Sequence, residues 1–102
     1  MHKQAYRARP MRNAARTDAN QKPIVDALRA IGCQVYYVKL PLDLLVSGGP
    51  LGDATVLLEC KMPGEGLNKA QTEFVQKWPG RVIVAHHEQE AIEAVLGKEL
   101  LK

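Results

Sequence analysis

Apolar positions recur at helical spacing soon after the chain begins. Ile24, Val25, Leu28 and Ile31 fall on one stripe, the signature of an amphipathic helix. Asp18 or Asn20 can cap it. Pro23 is tolerated only in a first turn, which favours the later start. Gly32 ends it in the manner of a left-handed C-terminal cap. Upstream, residues 1–17 show no apolar periodicity and carry Pro10, so they read as a flexible arm. The remainder, residues 18–102, reads as one domain.

After Gly32 the period changes. Cys33–Leu40 is β-branched and aromatic, and reads as a strand that Pro41 interrupts. Leu42–Val46 is a second strand. The turn-rich segment Ser47–Asp53 predicts a hairpin to a third strand, Ala54–Lys61, the most apolar of the set and expected to be central. Met62–Gly66 is a loop, and Asn68 can cap a helix in which Ala70, Phe74, Val75 and Trp78 share a stripe. Pro79-Gly80 closes it. Residues 81–85 give a fourth strand, and Glu88 to Leu96 a last helix with Ala91, Ile92 and Val95 inward. The order α-β-β-β-α-β-α predicts an α/β fold, a mixed sheet flanked by helices.

Composition adds little until charge is divided along the chain. At 102 residues, with 46% hydrophobic and 25% charged positions, the chain has the balance of an ordinary globular protein with one modest core. No apolar run reaches the roughly 20 residues that span a bilayer, so the expectation is a cytoplasmic protein with no membrane partner. Cys33 and Cys60 lie in apolar strands, where free cysteine behaves as a small hydrophobe. The basic excess is local. Residues 1–17 hold Lys3, Arg7, Arg9, Arg12 and Arg16 and no acid, whereas residues 18–102 hold nine basic and eleven acidic side chains. Such an arm suits a polyanion, nucleic acid above all, or else is a solvated terminus.

The candidate chemistry lies in the third strand. Alternate strand residues face one side, so Glu59 and Lys61 project together, about 7 Å apart. Leu57 shares their side, and Val56, Leu58 and Cys60 take the other. If the hairpin pairs as expected, Asp43 approaches Glu59. Two close carboxylates repel, and a divalent cation relieves the repulsion. Mg²⁺, or Mn²⁺ in its place, would take Asp43, Glu59, the backbone carbonyl of Cys60 and waters as oxygen ligands. It would acidify a water and stabilise charge on a phosphate, while Lys61 orients both. The plainer alternative is a solvated Glu-x-Lys pair at a strand end.

These residues, in this order of elements, resemble a known family. The segments DANQKPIVDALRAIGCQV, LDLLV, LLECK and LNKAQTEFVQKWPGRVIVAHHEQEAIEAV look like the small stand-alone virus-type replication-repair nucleases (VRR-NUC), a branch of the PD-(D/E)xK superfamily. The resemblance covers nearly everything from Asp18 to Val95. It implies a restriction-endonuclease-like core and a Mg²⁺-dependent endodeoxyribonuclease. Asp43, Glu59 and Lys61 would match the family's acid, acid and lysine, and Gln71 a glutamine kept at the site. Asn20 and Gln21 fall on the first-helix motif, near the metal or its waters and the bound nucleic acid. Arg7, Arg9, Arg12 and Arg16 would then contact DNA. The resemblance also implies a homodimer like the Holliday junction resolvases, a two-fold pair being suited to cutting symmetric strands of branched DNA. The family's proline directly before its first acid is one residue early here, at Pro41, so Asp53 stands as the alternative first acid. A nicking or restriction-type endonuclease, and a DNA-binding module that no longer cleaves, are the rival readings.

The other chemistry-bearing residues weigh less. By spacing alone Gln71 stands off the Phe74–Trp78 stripe, as a plain exposed residue. His2, His86 and His87 with the cysteines lack zinc-ligand spacing. Gly48, Gly49 and Gly52 lack the spacing of a phosphate loop. Trp78 is expected in the core.

Overall fold

A computed structural model describes residues 20–97. The arm, with Arg7, Arg9, Arg12 and Arg16, and the alternative cap Asp18 lie outside them. The elements are α1 (Gln21–Ala30), β1 (Cys33–Tyr37), β2 (Leu44–Gly48), a 3₁₀ turn (Gly49–Leu51), β3 (Thr55–Cys60), α2 (Lys69–Lys77), β4 (Val82–Ala85) and α3 (Glu88–Val95). The expected order is present, as a small α/β domain with a four-stranded mixed sheet. The strands run β1-β2-β3-β4 across it. The first two pairings are antiparallel and the last is parallel, so β2 and β3 are interior. A parallel pair needs a crossover, which α2 provides.

Burial separates the two faces of the sheet. Leu44 and Val46 of β2 align with Leu58 and Val56 of β3, and Leu58 and Cys60 align with Ile83 and Ala85 of β4. These side chains join Ile24, Val25 and Leu28 of α1 and Ala91, Ala94 and Val95 of α3 in one core. The helix stripe read from spacing is therefore the buried one. Truncating Leu28, Leu44 or Leu58, each fully buried, to alanine would cost about 2–5 kcal/mol. Gly32 terminates α1 with φ +98° and its N–H on the Arg29 carbonyl. Both cysteines are buried on the core side, and burial pushes the Cys33 thiol up.

The opposite face carries the row Tyr36, Leu45, Leu57 and Val82. Among the described elements only α2 lies on that side, and none of its residues is buried. The expectation that Trp78 belongs to the core is wrong. Trp78 is 44% exposed, stacked on Phe74 with ring centroids 5.3 Å apart. A helical stripe shows which side of a helix is apolar; it does not show how completely another layer covers it.

Two strand boundaries also move. The run to Leu40 breaks after Tyr37, because Val38 and Lys39 both donate backbone N–H groups to the Asp43 carbonyl. Lys39 takes φ +71°. Residues 38–43 therefore form the β1–β2 connection, and Asp43 stands immediately before β2 rather than inside it. No helix among the described residues is long and apolar enough to cross a membrane.

Candidate metal and catalytic centre

Asp43 and Glu59 meet through reciprocal contacts. The backbone N–H of Asp43 donates to Glu59 Oε1 at 3.1 Å. The backbone N–H of Cys60 donates to Asp43 Oδ2 at 3.0 Å. Each acid thus holds the strand end that carries the other, and the early position of Pro41 has not pulled Asp43 away. Asp53 is exposed at the opposite end of β3. Six residues separate it from Glu59, about 20 Å along an extended strand.

Glu59 is 4% exposed, one of only two buried polar residues among those described. Its Oε2 accepts from Gln71 Nε2 at 2.7 Å and lies 3.4 Å from Lys61 Nζ. Burial first, and the charge of Asp43 second, push its carboxyl above the usual range. The bonds from Gln71 and Asp43 and the ammonium of Lys61 oppose that rise. Lys61 follows the last residue of β3, and its side chain is largely covered. Strand alternation has delivered Glu59 and Lys61 to one side, as their spacing requires.

Gln71 is held by the helix that carries it. Asn68 caps α2: its side chain accepts from the Gln71 N–H at 2.8 Å, and its own N–H donates to Gln71 Oε1 at 3.0 Å. This capping box orients the amide. Because Oε1 is occupied by a donor, the N–H₂ end must face Glu59, and a carboxylate is the acceptor that end requires. Spacing alone set Gln71 apart from the Phe74–Trp78 stripe. In fact these residues follow it by three and seven positions, within about 60° of it on a helical wheel. That edge of α2 faces β3. The capping pattern Asn-x-x-Gln was the signal that could have found the orientation.

Asn20 has a role that spacing did not suggest. Its Nδ2 donates to the Lys61 carbonyl at 2.6 Å and to the His86 carbonyl at 3.1 Å. It thereby ties together the chain ends leaving β3 and β4. Its Oδ1 is buried without a hydrogen-bond partner among the described residues. Gln21 is 6% exposed and offers little of itself to a ligand. His86 links the loop after Lys61 to α3, with Nδ1 2.9 Å from Glu90 Oε1 and Nε2 3.0 Å from the Glu65 carbonyl. Both partners are acceptors, so the arrangement favours the doubly protonated ring. The bond to Glu90 first, and that to Glu65 second, raise its pKa.

No family model, curated protein or solved structure matches this chain. The arrangement must therefore be read from its own chemistry. Among the described residues no cluster of three or more His, Cys, Asp or Glu is assembled for a metal. What is assembled is a facing pair of carboxylates, one deeply buried, beside an ammonium. That donor set fits a hard cation that retains several waters, as Mg²⁺ does. A soft or fully protein-caged ion would need more ligands than these. The rise in the Glu59 pKa marks the electrostatic cost that a cation between the carboxylates would remove.

Proposed function

We propose that this chain is a Mg²⁺-dependent DNA endonuclease of PD-(D/E)xK type that hydrolyses phosphodiester bonds in branched or otherwise distorted DNA. The observation that carries the reading is the interlocked Asp43–Glu59 pair, with Lys61 and Gln71 both on Glu59 Oε2. An α/β domain of this size has little reason to bury an acid beside a second acid unless the pair serves a ligand.

Asp43 and Glu59, with the Cys60 carbonyl, would hold the cation. Bound there, the cation would supply acidification of water and stabilisation of charge developing on the phosphate. Hydrolysis forms one bond from water oxygen to phosphorus and breaks one phosphorus–oxygen bond to the sugar. Lys61 can hold a phosphate oxygen and offset its growing charge. Gln71 keeps the Glu59 carboxylate aimed, and Asn20 fixes the backbone at Lys61. The N-terminal arginines supply affinity that does not depend on base sequence. A homodimer would set two such sites against two strands.

The test is cleavage of end-labelled duplex, flap and four-way-junction DNA with Mg²⁺, Mn²⁺ or EDTA, with sedimentation of the free protein alongside. The expected result is metal-dependent cutting that favours the branched substrates. Metal-dependent binding without cutting at any substrate would refute the enzymatic part and leave a DNA-binding module.

A further inference from the structure

The β1–β2 connection carries an apolar tip that the fold does not use. Its ends are fixed. Val38 and Lys39 donate to the Asp43 carbonyl at 2.9 and 3.2 Å, and Leu40 donates to the Val38 carbonyl at 2.8 Å. Leu42 is fully buried. Lys39 takes a positive φ of 71°, which side chains other than glycine seldom adopt. Between these anchors Leu40 is 81% exposed, the most exposed of the large hydrophobic residues described. Pro41 beside it is exposed as well. A slack loop would let a leucine fold back onto the sheet. This connection is hydrogen-bonded so that it does not.

The tip is coupled to the candidate centre. The carbonyl that closes the turn belongs to Asp43, whose carboxylate is bound beside Glu59. The antiparallel register brings this connection to the same end of the sheet at which Glu59 and Lys61 lie. Leu40 is three residues from Asp43, at most about 11 Å of chain, or roughly three nucleotides at 3.4 Å per nucleotide of one strand. Lys39, exposed, adds a cation next to it.

We propose that Leu40, backed by Pro41, is an apolar wedge that enters the base stack of DNA held at the Asp43–Glu59 centre, and so determines specificity for DNA that is already unstacked. The inference rests on the nuclease reading and names the feature of the substrate that this site selects. Leucine and proline are side chains that proteins insert between base steps. Insertion has to pay for lost stacking, and that loss is smallest at branch points and mismatches, where neighbouring bases are already apart. A rigid tip within a few nucleotides of the scissile phosphate therefore favours distorted substrates without any base-specific hydrogen bond.

The experiment places 2-aminopurine at successive positions within about three nucleotides of the cut site. Binding is followed in the Lys61→Ala background, so that the DNA stays intact, and cleavage rates are measured with Lys61 present. Leu40→Ala, Leu40→Ser and Leu40→Met are compared. At so exposed a position all three should melt within a few degrees of the parent. The parent and Leu40→Met should raise 2-aminopurine fluorescence on binding, whereas Leu40→Ala and Leu40→Ser should not. The ratio of junction to duplex cleavage should fall about tenfold in the latter two. If Leu40→Ala keeps both the fluorescence rise and the ratio, the wedge is refuted and the nuclease reading stands. If it instead changes only the sedimentation coefficient, Leu40 is a contact between protomers and the wedge is likewise refuted. If the parent neither binds nor cuts any DNA, both readings fall together.

Discussion

Replacing Asp43 by asparagine should inactivate the protein and also stabilise it when no metal is present. The two contacts of 3.0 and 3.1 Å that interlock Asp43 and Glu59 confine their carboxylates to within about 5 Å of each other. Two unit charges at that distance repel by about 3 kcal/mol at an effective dielectric constant of 20. Asp43 is half-buried, so solvent and the Lys61 ammonium together screen about half of this, leaving about 1.5 kcal/mol. Asparagine keeps an acceptor for the Cys60 N–H, but a neutral one, which gives back about 0.5 kcal/mol. The net gain is about 1 kcal/mol, or a rise of about 4–8 °C in Tm for a domain of this size. The gain should depend on pH in a definite direction. Glu59 has a raised pKa, so between the ordinary carboxylate value and the raised one the folded chain holds more protons than the unfolded chain. Metal-free stability contributed by this group falls as pH rises through that window. Asp43→Asn removes one cause of the rise, so its advantage should be full above the window and vanish below it, where Glu59 is neutral. Calorimetric melting in EDTA across that range, paired with cleavage assays in Mg²⁺, measures both effects. Asp53→Asn, exposed and far along β3, should change neither. A lower Tm for Asp43→Asn at neutral pH would show that the carboxylate pair is not under repulsive stress, and activity retained in Asp43→Asn but lost in Asp53→Asn would overturn the choice of first acid.

Three other variants test separate parts of the arrangement. Lys61→Ala should abolish cleavage while its circular dichroism spectrum stays that of the parent, because the side chain pairs with Glu59 and contributes nothing to the apolar core; wild-type rates would rule out its proposed role. Deleting residues 1–16 removes five basic side chains and should flatten the slope of log affinity against log salt by up to about 4.5; an unchanged slope would make the arm a bystander. Gln71→Leu removes a hydrogen bond that favours ionised Glu59, so the acid limb of the pH–rate profile should move upward and Mg²⁺ binding, followed by titration calorimetry, should weaken most at low pH. A limb that stays in place would mean that Gln71 does not act through Glu59.

Much of this arrangement was legible in particular residues. Period-two alternation in Thr55–Cys60 and the residue after it placed Glu59 and Lys61 together, and the glycine-rich turn after Ser47 brought Asp43 alongside, because both are consequences of local backbone geometry. The extent of the β1–β2 connection was not legible. Val38, Lys39 and Leu40 suit a strand by composition, and what bends them away is a pair of hydrogen bonds to a carbonyl four and five residues on. The exposure of Trp78 was also hidden. It depends on whether a second layer covers one face of the sheet, a property of the whole fold rather than of the helix. Gln71 looked bland because its importance comes from a partner twelve residues away in sequence.

The capping box at the start of α2 has a consequence for how the centre is kept ready. The same amide that closes the first turn of the helix also aims Glu59, so fraying of that turn and loss of the contact are one event. With none of its residues buried, α2 belongs among the segments that open at small free-energy cost, well below that of global unfolding. Whatever occupies the carboxylate pair therefore also biases the order of α2, and by reciprocity the order of α2 biases occupancy. Amide hydrogen exchange in Lys69–Gln71 becomes a gauge of the site, and Asn68, exposed and linked to Glu59 through Gln71, becomes a position where surface variation tunes activity.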